Sequence, residues 1–481
     1  MSKISDLGLH DQILYTSKQS LSAQNRFVYY PDHLVRMPGP GGGIDIWQKL
    51  WTLYSEPVFD GLATAVIGEH WRDKRPSNID DESLGSFITR RAGGPELADN
   101  LVSAVLHGIY AGDIWQLSAK SLLPKMWWME ERFGSLSMAL SSRLNDKVDW
   151  ILERDMELMR ELTSKIPTEL SQAMGVASVY TFKQGIGHLA TSMVNHLKGN
   201  ANVRLQSNKK VKSLTYDDKS DNIKVRCAEH KHFAVSNISQ ISTYDDQPEI
   251  SFDTVISTLS ASNTADLAPE NSLPSLAQQK AVTVMTVNLY YRDPHVLSEN
   301  GFGYLIPRSI PYEQNPECAL GVVFDSDSSI GQDTATGTKL TVMLGGHWWD
   351  GFASTNSYPT EEEGLEMAKS VLRRHLGIDD EPEAYKAMLH KNCIPQYTVG
   401  HCKRMKDGSM ELEGAFKGKL RVAGSSYGGV GLNDCVRSAR DVVMRMKEED
   451  TSPWAPVRTG LEDFAKAESW IPFGNLPDPK R

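Results

Sequence analysis

Leu420-Arg421-Val422-Ala423-Gly424-Ser425-Ser426-Tyr427-Gly428-Gly429-Val430-Gly431-Leu432-Asn433-Asp434, near the C-terminus, passes from a short apolar run through four glycines into an amphipathic stretch. Val436, Ala439, Val442, Val443 and Met446 then recur at near-helical steps. The segment therefore predicts a strand, a glycine-rich turn and a helix capped by Asn433 or Asp434. Such a turn can gather backbone N–H groups and the positive end of a helix dipole around an anion such as a pyrophosphate. Its spacing, Gly-x-x-x-Gly-Gly-x-Gly, is not the dinucleotide fingerprint, and a tight structural connection explains it equally well. A dinucleotide-binding fold normally opens with its phosphate loop, yet no Gly-x-Gly-x-x-Gly follows a predicted strand in the first hundred residues.

Working outward, the 481 residues suffice for two or three domains with a substantial core. The net charge of -10 argues against a general nucleic-acid binder. Five cysteines (Cys227, Cys318, Cys393, Cys402, Cys435) form no Cys-x-x-Cys pair, which fits a reducing compartment better than a disulfide framework or zinc site. No apolar run is long enough to span a bilayer, and the start, Met1-Ser2-Lys3-Ile4-Ser5-Asp6, carries no visible targeting pattern.

Before the terminal turn the periodicity changes twice. Helical spacing dominates to about residue 175, as in Glu96–Leu106 and Asp149–Arg160. From about 203 short β-type runs take over: Val203–Leu205, Val211–Leu214, Ile223–Cys227 and Thr254–Leu259. Polar stretches at 217–222 and 235–250 read as hairpin loops or a surface insertion. A second β-rich block covers 282–346, followed by a helix around 361–376, while the residues after about 450 read as an extended tail. This order is not a simple βαβ repeat; it predicts α/β plus α+β domains whose segments interleave.

Several segments carry chemistry that local spacing alone leaves open. Arg26, before the apolar run Phe27–Tyr30, is either a fork for a substrate carboxylate or a solvated surface residue. Gly108 and Gly112 either let the backbone approach a planar ligand or cap a helix. Gly301–Leu305 and Leu320–Ser326 line an apolar cavity or belong to ordinary sheet core. The stretch Leu122–Arg132, with Trp127 and Trp128, is core or a membrane-interface dock. His401-Cys402 and Cys393 lack any spacing that singles out a nucleophile–base pair, and the 13 histidines show no His-x-x-x-His arrangement.

Taken in order, Gln24–Phe27, Asp81–Arg91, Gly108–Asp113 with Leu117-Ser118, Tyr180–Gly185, Gly301–Pro307, Leu320–Ser326, Val342–Gly346, Ile394–Tyr397 with Gly400-His401, and Gly424–Cys435 resemble the protoporphyrinogen oxidase family. These are flavoenzymes that make protoporphyrin IX in haem synthesis, and the resemblance covers nearly residues 5–445. It implies a flavin amine-oxidase-like two-domain fold with an inserted helical membrane-associated domain. The expected division is 1–32 as a residual linker into the substrate domain, 33–175 as the helical domain, and 176–265 as an FAD-domain segment. The substrate-binding domain is expected at 266–410, the terminal FAD-domain strand–loop–helix at 411–450 and the extended tail at 451–481.

The resemblance further implies FAD as cofactor, protoporphyrinogen IX as substrate and molecular oxygen as acceptor. A membrane surface is an expected partner, with a homodimer among the allowed assemblies and the mitochondrial inner membrane as location. Arg26 matches the arginine that pairs with a propionate, and Gly108 the glycine whose carbonyl faces the macrocycle. Phe302, Leu305, Val323 and Met343 match apolar cavity positions. Val211 matches a residue near the adenine half of FAD, and Ser425, Val430, Gly431 and Leu432 the terminal flavin contacts. No catalytic side chain is assigned, because the flavin carries the hard chemistry. Against the family pattern, this sequence reads as lacking the N-terminal Rossmann βαβ unit, from which weak FAD binding and poor folding are expected. Two other readings compete with an active oxidase: a non-catalytic truncated homologue that binds tetrapyrrole or membrane, and a flavin amine-oxidase relative with another substrate. A propionate-matching Arg26 speaks against the latter.

Overall fold

A computed structural model describes residues 2–39, 45–139, 141, 148–163, 165–235, 239–352, 357–451 and 458–474. The chain divides into two compact units, each drawn from separate stretches of sequence. Met1–Asn200, Val282–Cys393 and Glu468–Arg481 make the first; Ala201–Ala281 and Ile394–Ala467 make the second. Of the stretch expected as the substrate domain, 282–393 lie in the first unit, and 266–281 with 394–410 in the second.

The first unit is built on a seven-stranded mixed sheet. Its order is Ala384–Pro395, Ala281–Tyr291, Thr338–Gly345, Ala319–Phe324, Gly303–Leu305, Phe27–Tyr29, Leu34–Arg36. Gly303–Leu305 and Phe27–Tyr29 pair in parallel, and the pairs on either side of them are antiparallel. Alternation along these strands puts Phe27, Tyr29, Met285, Val287, Leu289, Tyr304, Val322, Phe324, Leu340, Val342 and Leu344 on one buried face. The helix Glu361–Leu376 closes that face with Ala368, Val371 and Leu372. Its ends are written in the sequence. Thr360 and Glu363 form a capping box, three glutamates occupy the first turn, and Gly377 ends the helix in the left-handed region.

A helical part of the same unit packs Leu84, Phe87, Ile88, Leu106, Ile114, Leu117 and Trp127 into a separate core. Beside it lies a buried ion cluster. Glu130 is fully buried and takes contacts from Arg75, Arg90 and Arg91, while Glu69 takes Arg91. Charges removed from water persist only when paired and hydrogen-bonded in this way. Glu69 also accepts from Ser135, Leu136 and Ser137; burial works against its ionisation, but these bonds outweigh it and hold the carboxyl at about 2.

Two sequence expectations change here. Helical spacing over Asp149–Arg160 holds only from Glu153; Val148–Leu152 is a strand, because it pairs antiparallel with Trp470–Gly474. The tail thus supplies a sheet partner. Trp127, expected as core or interfacial dock, is core: its ring lies 3.6 Å beneath the Arg75 guanidinium, and Trp128 stacks on Trp470.

In the second unit, Lys209–Asp217, Asn222–Val235, Ser239–Asp246 and Ile250–Phe252 make an antiparallel sheet. The hairpin at 217–222 is as expected, but much of 235–250 is strand, and Val203–Leu205 is not one. Val255–Ser257 pairs in parallel with Leu420–Val422. The helix His401–Phe416 packs Met405, Leu412 and Phe416 against Leu276, Leu420, Val422 and Tyr427.

Candidate functional site

The face of the seven-stranded sheet turned away from the Tyr304–Val322–Leu340 core carries the other parity of each strand. It presents Val28, Gly303 and Leu305, Gly321 and Val323, Thr341 and Met343, and Thr286 and Asn288, with Arg26 just ahead of its strand. Leu305 stands opposite Gly321, Val323 opposite both Gly303 and Thr341, and Met343 opposite Gly321 across a bulge. Leu305, Val323 and Met343 are half-buried.

The helix Ser103–Tyr110 lies against this face. A methyl placed on Gly108 would stand 2.9 Å from Leu305 Cδ2, so only glycine lets the helix backbone come this close. Gly108 does not end the helix: Ala111, with φ +50°, does. Leu305 is also confined from the sheet side, since a methyl on Gly321 would stand 3.0 Å from the same Cδ2. At the edge, the exposed Arg26 holds its guanidinium 5.5 Å over the ring of Phe302. The structure thus places Gly108, Leu305, Val323 and Met343 on one apolar surface and joins Arg26 to Phe302 at its edge.

Two polar groupings belong to the same unit, and spacing rules did not reveal them. His107 Nδ1 lies 2.6 Å from the Ile306 carbonyl, and its Nε2 2.8 Å from His347 Nε2. Burial pushes both imidazoles well below their ordinary range. Asp325 Oδ2 lies 2.6 Å from the Thr341 hydroxyl, which is also 2.8 Å from Asn288 Oδ1. One hydroxyl proton cannot serve both oxygens. Burial pushes the Asp325 carboxyl up, and a protonated Asp325 donating to Thr341 satisfies both contacts. Neither grouping is sequence-local, so its only signal was a histidine or aspartate inside an apolar run.

In the second unit, the glycine turn is clamped from below by Tyr397. Its hydroxyl donates to the Ser425 carbonyl and accepts from the Gly429 N–H at 2.8 Å. The Tyr397 ring stacks on His401 at 4.1 Å, and His401 Nε2 donates to the Tyr427 carbonyl at 2.8 Å. Gly424, at φ +124°, starts the turn in the region that favours glycine. The tip is open: Gly428 and Gly431 are exposed, and Leu432 is 45% exposed. Ser425 and Val430 are half-buried, as is Val211, which packs against the core of this unit with Leu214 and Ile223.

The helix that follows, Leu432–Thr451, does not offer its N-terminus to an anion. Asp434 Oδ2 accepts the Gly431 N–H at 3.1 Å, and its carboxylate sits against Gly429. An anion arriving there would meet a like charge in the place where the dipole is already answered. The turn suits the uncharged part of a ligand. Among the described residues, no group of three or more His, Cys, Asp or Glu side chains is placed to hold a metal ion.

The sequence pattern of the flavin containing amine oxidoreductases matches residues 3–447. Over 446 residues the chain is 31% identical to protoporphyrinogen oxidase of Schizosaccharomyces pombe, spanning 92% of this chain and 82% of that protein. Protoporphyrinogen oxidase of Homo sapiens is 29% identical over 448 residues, spanning 92% and 83%. A solved structure from Exiguobacterium sp. 255-15 superposes with a TM-score of 0.64 at 21% identity, covering 93% of this chain and 84% of that one, which establishes a shared fold.

Proposed function

The chain belongs to the flavin containing amine oxidoreductases, and within them to the protoporphyrinogen oxidases; on that premise we propose that it oxidises protoporphyrinogen IX to protoporphyrin IX with FAD as cofactor and oxygen as acceptor. The observation that carries this reading is the apolar sheet face with the Arg26 guanidinium at its edge. A planar apolar macrocycle with carboxylate arms is matched by Leu305, Val323 and Met343 beneath the ring, and by Arg26, steadied on Phe302, for a propionate. Gly108 brings helix backbone to the same surface, where a carbonyl can face the macrocycle. FAD, when bound, supplies the two-electron acceptor, and three turnovers account for the six hydrogens lost, each pair ending in hydrogen peroxide. The residues of the chain bind and orient the ring and keep water away from it.

Ser425, Val430, Gly431 and Leu432 fit the uncharged isoalloxazine or ribityl side of FAD. With Asp434 at the helix start, the pyrophosphate does not belong on this turn. We therefore expect FAD retention to be weak and assays to need added FAD. Porphyrin fluorescence appearing from protoporphyrinogen IX, dependent on added FAD and consuming oxygen, is the expected result. No fluorescence above the non-enzymatic rate at saturating FAD would overturn the reading. A stoichiometric flavin band after purification would overturn the expectation of weak retention alone.

We also infer docking on a membrane surface. On the helix Ile46–Ser55, Trp47, Leu50, Trp51 and Tyr54 recur at helical steps and point to solvent, 74%, 50%, 68% and 85% exposed. Val66, Ile67 and Trp71 are exposed nearby in sequence. An amphipathic helix with an uncovered aromatic stripe is suited to lie in a headgroup layer. No described helix is long and apolar enough to cross a membrane. Flotation with phospholipid vesicles should carry the protein up the gradient, and Trp47→Ser with Trp51→Ser should leave it at the bottom; equal flotation of both would refute this. The mitochondrial inner membrane is the site we propose for it, on family resemblance.

A further inference from the structure

We propose that His107 and His347 form an imidazole latch that sets where the Gly108 segment stands over the tetrapyrrole face, and so tunes substrate affinity; the idea rests on the tetrapyrrole reading above. The hydrogen bonds fix the protons. Ile306 O can only accept, so His107 Nδ1 carries a hydrogen. A neutral His107 then presents a bare Nε2, and His347 must donate its Nε2–H across the 2.8 Å gap. The rings lie 4.8 Å apart at 30°, with the Trp348 ring 4.4 Å from that of His347.

What the latch joins gives it its function. His107 is the residue before Gly108, and Ile306 the residue after Leu305. On the other side of Gly108, the Ala111 carbonyl accepts the His347 backbone N–H at 2.8 Å. Both flanks of Gly108 are therefore tied to segments that leave the sheet, one after Gly303–Leu305 and one after Thr338–Gly345. The charged groups facing the pair are Asp113 and Arg308, themselves 3.2 Å apart as an ion pair. They cancel, so the site favours two neutral rings, in keeping with the depressed basicity of both. A proton on His347 Nδ1 leaves the shared bond in place, but one on His107 Nε2 abolishes it. His107 and His347 are positioning residues that act through the Gly108 segment they flank.

The test compares variants that keep or remove the shared hydrogen. In His347→Gln the amide N–H can replace the imidazole donor; in His347→Phe it is gone; His107→Asn keeps the bond to Ile306 and loses the acceptor. Protoporphyrin IX binding, read by fluorescence at pH 7, should weaken about tenfold in His347→Phe and His107→Asn, the size one lost buried hydrogen bond allows. It should stay within about twofold of the parent in His347→Gln. Between pH 7 and 5 the affinity of the parent should hold level, because burial keeps both rings neutral over that range; a loss confined to that window would count against the latch. Hydrogen exchange of the backbone amide at 347 should quicken in His107→Asn and not in His347→Gln. Arg26→Met should weaken binding at every pH without changing that exchange.

Parent-like binding by His347→Phe and His107→Asn, or a His347→Gln as weak as they are, would overturn the latch. Should His347→Phe not fold, His107→Asn carries the comparison. A parent that binds no porphyrin would sink the tetrapyrrole reading instead, and the exchange rates at 347 would still decide whether the latch exists.

Discussion

Replacing Gly108 with alanine separates binding from stability. The added methyl would stand 2.9 and 3.0 Å from the two methyls of Leu305, where carbon atoms prefer about 3.5–4.0 Å. Leu305 must therefore give way by roughly 0.5–1 Å. It cannot retreat into the sheet, because Gly321 already lets its Cδ2 press against the neighbouring strand. The side chain must move outward, into the space over the apolar face. The clash falls on the end of a flexible side chain, so it costs about 1 kcal/mol, and alanine in place of glycine in the helix returns up to about 1 kcal/mol. Net stability should change by less than about 1 kcal/mol, a thermal shift of no more than a few degrees. Binding should suffer more. A displaced contact worth about 1–2 kcal/mol predicts a five- to thirtyfold rise in KM for protoporphyrinogen IX at saturating FAD. Adding Leu305→Val, which removes one methylene, should recover most of the loss. An unchanged KM in Gly108→Ala, or a KM rise matched by a fall in Tm of ten degrees or more, would refute the reasoning.

Three further outcomes are expected. Glu130→Gln leaves Arg75, Arg90 and Arg91 facing each other around a fully buried, neutral group, and chemical denaturation should show a loss of about 3–5 kcal/mol, if the variant folds at all. His375 and His401 are each held at about 4 by burial against an ordinary 6.5, so the fold prefers them neutral. Their contribution is present above pH 6.5 and lost as pH falls towards 4, about 3 kcal/mol each; urea midpoints that stay flat between pH 6.5 and 4.5 would contradict this. Tyr397→Phe removes the hydroxyl that holds Ser425 and Gly429, and should lower stability by about 1–3 kcal/mol and raise the FAD concentration needed for half-maximal activity.

Where the sequence was legible, local chemistry and tertiary packing agreed. The helix Glu361–Leu376 carries its cap, its charge gradient and its terminal glycine in its own residues. The strand, turn and helix around residues 420–451 are likewise spelled out locally. The failures have one cause. Val148–Leu152 has helical spacing but is held as a strand by Trp470–Gly474, a partner no local window contains. Trp127 and Trp47 look alike as letters; one lies under Arg75, while the other is 74% exposed. The site divides in the same way. Family motifs picked out Arg26, Gly108, the apolar positions and the Ile394–Tyr397 stretch, but the bonds of His347 to the His107 imidazole and of Tyr397 to Ser425 and Gly429 join residues far apart in sequence, which motif spacing does not encode.

The Trp470–Gly474 and Val148–Leu152 pairing also has a consequence in time. The two strands are separated by most of the length of the chain, so during synthesis the earlier one emerges long before its partner exists. At ordinary ribosomal speeds the wait is roughly a quarter of a minute to a minute. Throughout it, Trp128 and Trp150 lack the Trp470 ring that later stacks on Trp128. A strand with an open edge and uncovered aromatics is what holding chaperones bind. The first unit thus closes its Val148–Leu152 edge only after the stretches of the second unit, Ala201–Ala281 and Ile394–Ala467, have been synthesised, so the two units take shape in overlapping rather than successive periods.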